Sequence, residues 1–262
     1  MICPKCGKQQ ADINIVCSNC GIVFEKYYKY NPPLATEHRT DIQHPGVKSS
    51  IDAIQVQTLA DISTNIRQRL FFTNDNEDII NVSARALVFL GILVLSFRLI
   101  NSTIISNYVG GIFLHNVNLV FHEAGHIVFR LFGQFIRTLG GSLGQLIMPA
   151  ICFYAFFFQK LNPFAAAVCF WWIGENFLDM SPYINDARAG ELPLLGDNYG
   201  YSSPYGFHDW EYLLTESGLL KYDHAIAKLS FFIGSAMMIT AIVWGGILLH
   251  RQFNIALKKG PK

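Results

Sequence analysis

Charge is what this sequence has least of. Only 15% of its 262 residues are Asp, Glu, Lys or Arg, against about a quarter in an average soluble domain. With 51% hydrophobic residues, so few charges cannot coat a folded surface, which excludes a simple soluble globular protein. The signs also cancel. A formal net charge of +1 leaves no global basic field for nucleic acid or for an anionic lipid surface. Internal repeats and low-complexity tracts are absent, which excludes a repeat architecture. The opening Met1-Ile2-Cys3-Pro4-Lys5-Cys6 runs directly into polar sequence without a cleavable secretory signal. The N-terminus is therefore expected to start and stay in the cytoplasm, and a disulfide scaffold is not expected there.

The apolar excess is concentrated between Arg85 and Arg251. A bilayer crossing needs roughly 20 apolar residues. Residues 229–249 meet this without a charge, and 86–105 meet it with Arg98 obliged to snorkel or find a partner. Residues 111–132 are apolar overall but carry His115, His122, Glu123, His126 and Arg130. The runs 143–158 and 163–179 are each a little short. The expected fold class is an all-α polytopic membrane domain of four to five segments, one of them possible as a re-entrant loop, behind a small N-terminal zinc ribbon. The basic tail (Arg251, Lys258, Lys259, Lys262) prefers the cytoplasm, as does the N-terminal module. Both preferences are met only by an even number of crossings.

The domain boundaries follow: ribbon 1–27, linker 28–84, membrane domain 85–252 and basic tail 253–262. The linker contains Pro32, Pro33 and Pro45. Apolar residues at near-helical spacing over 51–70 read there either as an amphipathic helix on the membrane surface or as a plain connector.

Two constellations carry chemistry. Cys3, Cys6, Cys17 and Cys20 form two Cys-x-x-Cys-Gly turns. Each turn brings two thiolates onto one ion, the spacing a tetrahedral zinc site requires. Zinc would supply folding energy that so small a module cannot draw from a core. A redox role lacks the βαβ context it needs. The other cysteines, Cys152 and Cys169, sit alone in apolar runs and read as small hydrophobes.

The second constellation is His122-Glu123-Ala124-Gly125-His126. On a helix the two histidines stand one turn apart on one face and reach a single zinc, with Glu123 beside it as a base. Inside an apolar run such side chains are expensive and functional by default. A third ligand, leaving one position open, is expected from the chain that follows. Asp186 and Asp179 are the candidates there, with His208 a further candidate that also reads as a hydrogen-bonded loop residue. Glu175 reads as a balance for Arg98 or Arg130. Gly140-Gly141-Ser142-Leu143-Gly144-Gln145 reads as an interhelical turn or as irregular backbone lining a cavity.

The motif at 122–126 within a membrane segment, followed by Asn176, Pro182 and Asp186, resembles the site-2 protease family of intramembrane zinc metalloproteases. The N-terminal module, with Cys20-Gly21-x-x-Phe24-x-Lys26-Tyr27, is similar to the short zinc ribbons of bacterial membrane proteins. Relative to that family's Asn-x-x-Pro-x-Pro-x-Leu-Asp-Gly segment, the Asn-to-Asp separation here is two residues longer, one proline is missing and Ala187 replaces the glycine. The resemblance implies zinc-dependent hydrolysis of a peptide bond in a membrane-protein substrate. It implies Glu123 as catalytic base, His122, His126 and Asp186 as ligands, and Asn176 on the substrate or oxyanion. In that family the region after the motif can offer a strand edge to an extended substrate. Two zinc ions are expected, one catalytic and one structural. The bacterial inner membrane is the expected location, with a protein partner for the ribbon and no nucleic acid. The rival expectation is a non-proteolytic membrane scaffold with structural zinc.

Overall fold

The computed structural model describes residues 1–10, 15–31, 66–74, 77–196 and 198–258. Most of the amphipathic stretch expected over 51–70 lies outside the described residues, and its end, 66–70, is helical. The ribbon module closes on α1 (Phe24–Tyr30). The membrane domain contains α2 (Ile79–Ile100), α3 (Phe113–Val128), α4 (Gln134–Tyr154), α5 (Pro163–Asn185), α6 (Asp209–Glu216) and α7 (Asp223–Lys258). A two-residue hairpin, β1 (Pro193–Leu194) with β2 (Asn198–Tyr199), is the one sheet among the described residues.

Among the described residues, three helical stretches are long and apolar enough to cross a bilayer: Ile79–Ile100, Gln134–Gln159 and Leu220–Lys258. A fourth arises if Ile104–Gly111 and α3 form one broken span, bent by 89°. The chain is an integral membrane protein, with three to four apolar spans among its described residues. The expected run at 163–179 forms α5, but α5 does not join these spans. It is the hub the others surround, with fifteen of its 23 residues buried, among them Glu175, Asn176 and Asp179. A helix wrapped by other helices can carry side chains that lipid would reject. Helices α2 and α7 are fastened to α5 by interhelical hydrogen bonds: Trp171 Nε1 donates to Ser96 Oγ (2.7 Å) and Ser230 Oγ donates to the Phe177 carbonyl (2.7 Å).

The glycine-rich stretch after the His-Glu-x-x-His motif is neither a turn nor a strand edge. Residues Gly140 to Gln145 lie inside α4. Helices α3 and α4 cross there almost backbone to backbone. A Cβ on Gly125 would collide with the Gly140 carbonyl, and a Cβ on Gly144 with the Phe121 carbonyl. Small residues at a crossing allow this approach, the usual way helices associate where lipid offers no hydrophobic drive. A Gly125→Val change is expected to force α3 from α4 and to cost at least the ~1–3 kcal/mol of an overpacked core. A lowered unfolding midpoint in detergent is the measurement.

Candidate metal centres

In the ribbon the two Cys-x-x-Cys turns repeat one design. Cys3 N–H donates to the Lys8 carbonyl and Cys17 N–H to the Ile22 carbonyl, while Gly7 and Gly21 N–H return to the carbonyls of Cys3 and Cys17. Both glycines are left-handed, at φ 72° and 71°, where a Cβ would be strained. The turns face each other with Cys3 Sγ 3.7 Å from Cys20 Sγ and Cys6 Sγ 3.6 Å from Cys17 Sγ. A disulfide would need about 2.05 Å. Four thiolates about 2.3 Å from a tetrahedral zinc stand about 3.8 Å apart, so the four sulfurs fit one ion. The backbone at Lys8, and then the Asn19 amide, hold the Cys6 thiol down to about 6, toward the thiolate a metal needs.

The membrane domain holds a second group able to take a metal. The ligand atoms of His122, Glu123 and His126 all lie within 4.8 Å of one another. His122 Nδ1 sits 2.9 Å from Gln145 Oε1, and His126 Nδ1 sits 2.8 Å from the Arg137 carbonyl. Both oxygens accept, so both Nδ1 atoms carry the proton and both Nε2 atoms turn inward. They turn toward Asp209. Its Oδ2 is 2.8 Å from His122 Nε2 and 3.2 Å from His126 Nε2. Burial pushes the Asp209 carboxyl up, but its bonds to His122 and His126 outweigh that and hold it below the usual aspartate range.

Nitrogen and oxygen ligands about 2.0–2.1 Å from a tetrahedral zinc stand about 3.3 Å apart. The two Nε2-to-Oδ2 distances, 2.8 and 3.2 Å, approach that spacing. Gly141 leaves the adjoining space open, since a Cβ there would fall 2.6 Å from His126 Nε2. The residues present therefore fit a zinc ion. Glu123 is exposed to a cavity of about 710 Å³ that His122, His126, Tyr183 and Asp209 also line.

Asp209 is the residue that sequence reasoning missed. It is the first residue of α6, and its neighbour His208 caps that helix, Nδ1 accepting from the Glu211 N–H (3.2 Å). His208 is thus the hydrogen-bonded residue of one of its two readings, fully buried as a cap. The expected third ligand, Asp186, is placed elsewhere. Its two oxygens accept from the Glu191 and Leu192 N–H groups at 2.9 Å each, folding the loop after α5. Its Oδ2 also lies 3.4 Å from His208 Nε2. Asp186 therefore supports the cap behind Asp209 rather than meeting the histidine pair.

The alternative, Asp179, is spent on His115 Nδ1 (2.7 Å) and the Asn118 amide (3.1 Å). Asn176 is fully buried, donates to the Trp172 carbonyl (2.9 Å) and is not among the cavity's lining residues. Glu175 meets Asn118 (2.9 Å) rather than Arg98 or Arg130, and Arg98 reaches Tyr108 Oη at 3.5 Å.

Gln145 tests the orientation of His122. Gln145→Leu removes the acceptor and is expected to weaken zinc binding at this site about 10–100-fold, whereas Gln145→Glu keeps an acceptor and holds the metal. Competition with a zinc-chelating dye in detergent reads both affinities. No protein-family model, no curated protein and no solved structure matches the chain.

Proposed function

We propose that this chain is a membrane-embedded zinc peptidase that hydrolyses a peptide bond of a membrane-protein substrate. In this reading His122, His126 and Asp209 hold the ion, with Asp209 in the place that the family resemblance gave to Asp186. The observation that carries the reading is the single Asp209 oxygen within 3.2 Å of both inward-facing Nε2 atoms. A carboxylate oxygen and two imidazole nitrogens turned toward one point form a donor set that suits a shared cation.

A zinc ion held there would bring a water's pKa toward neutrality and polarise a carbonyl. The chain's own residues do the rest. Glu123 takes the proton of the attacking water and returns it to the leaving amide nitrogen. The cavity beside it receives an extended segment, because a helical one keeps its carbonyls in its own hydrogen bonds. The ribbon is a separate structural zinc module, proposed to dock a protein partner on the cytoplasmic side of a bacterial inner membrane.

Metal counts on the full chain in detergent test the ligand set. Two zinc ions are expected in wild type, one in His126→Ala and in Asp209→Ala, and two in Asp186→Asn. Loss in Asp186→Asn with retention in Asp209→Ala would reverse the assignment. The chemistry is tested with a quenched-fluorescence library of extended apolar peptides in detergent micelles. Glu123→Gln is expected to keep both ions and to lower cleavage about 10²–10⁴-fold. Unchanged cleavage would sink the mechanism, and no cleavage by wild type would favour the non-proteolytic scaffold.

A further inference from the structure

One pocket residue has no part in the chemistry above, yet it touches both Asp209 and His122. Tyr183 projects from α5 into the cavity that holds Glu123 and Asp209. Its Oη accepts the Asp209 backbone N–H at 2.9 Å. Its ring lies 4.3 Å from the His208 ring, tilted by 37°, and meets the His122 ring edge-on at 6.3 Å. These contacts clamp the ring from the side of α6 and from the side of α3.

A phenol is both acceptor and donor. The Asp209 N–H uses the acceptor side, and among the described residues no acceptor takes the hydroxyl's own hydrogen. Tyr183 is half-buried and lines the cavity, so the hydroxyl's hydrogen is left to a molecule that enters there. The hydroxyl is bonded to the backbone of the very residue whose carboxylate touches both histidines. It therefore stands beside the place where a scissile carbonyl would lie.

We propose that Tyr183 is a catalytic residue whose hydroxyl donates a hydrogen bond to the carbonyl oxygen of the scissile peptide bond as that oxygen becomes negative. The inference rests on the peptidase reading above. When the water oxygen bonds to the carbonyl carbon, the π electron pair moves onto the carbonyl oxygen. The water's proton goes to Glu123, and Tyr183 shares its own proton with the oxyanion without giving it up. When the C–N bond breaks, the pair returns to re-form the carbonyl, and Glu123 passes its proton to the nitrogen. Tyr183 ends as it began. A donor aimed at charge that appears only in the transition state acts on turnover, not on ground-state binding.

The test compares wild type with Tyr183→Phe, using the full chain in detergent and the same peptide library. Zinc content is read beside kcat and KM. The expected result is two zinc ions retained, kcat down about a hundredfold to a thousandfold, and KM changed little. Retained zinc with kcat within twofold of wild type would overturn the proposal. Loss of the membrane-site zinc would also overturn it, showing that Tyr183 acts only by holding Asp209. If the phenylalanine variant does not accumulate, 4-aminophenylalanine at 183 keeps the ring and a weaker donor. A severalfold fall in kcat with zinc retained is then expected, and an unchanged kcat overturns the role. A wild type that cleaves nothing overturns this role together with the peptidase reading, whereas a cleaving wild type matched by the variant overturns this role alone.

Discussion

One carboxylate oxygen between two imidazoles is the contact around which the membrane domain is arranged. Asp209 Oδ2 reaches His122 and His126 from the start of a short helix on the far side of the pocket. Holding it there takes a chain of supports. His208 caps α6, Asp186 backs His208, and Tyr183 takes the Asp209 N–H. On the other side Gln145 and the Arg137 carbonyl turn the two imidazoles inward. These supports fix the direction in which the carboxylate and the two imidazoles point.

The same constraint shapes α3 and α5. In α3 the residues His115, Asn118 and His122 recur at helical spacing, and in α5 so do Glu175, Asp179 and Tyr183. The two stripes face each other. Asn118 serves both acidic groups of α5 with its amide nitrogen while its oxygen takes the Trp172 indole N–H. Polar side chains of a membrane protein are kept where they find one another, so α5 is central and the apolar helices stand outside. That arrangement also explains why α5 is helical for 23 residues and still falls short of the apolar character of a span.

How much was legible depended on distance along the chain. The four cysteines declare themselves as two close Cys-x-x-Cys pairs, and His122, Glu123 and His126 lie within one helical turn, so spacing alone carries geometry. The span count followed from apolar length, apart from α5. The third carboxylate did not. Asp209 lies 87 residues from His122, and in sequence it is one more acid beside Asp186, which caps the end of α5, and Asp179, which lies within it. Only the return of the loop after α5 decides which of them meets the pair. Gly140 to Gln145 misled for a different reason. Glycines that mark turns in water are interface residues in a bilayer, where close helix approach replaces the hydrophobic drive.

That approach links packing to chemistry. Gly125 lies within the His-Glu-x-x-His motif itself, and the crossing it permits brings Gly141 of α4 beside both imidazoles. One turn further along α4, Gln145 then reaches His122. A larger residue at Gly125 would push α4 away and take from His122 the acceptor that orients it. A larger residue at Gly141 would instead fill the space at the two Nε2 atoms. The glycines therefore do two separate jobs. Gly125, Gly140 and Gly144 set the distance between the helices, and Gly141 preserves the room that distance creates. The motif and the glycine-rich stretch after it are halves of one structural unit, joined by the crossing of α3 and α4.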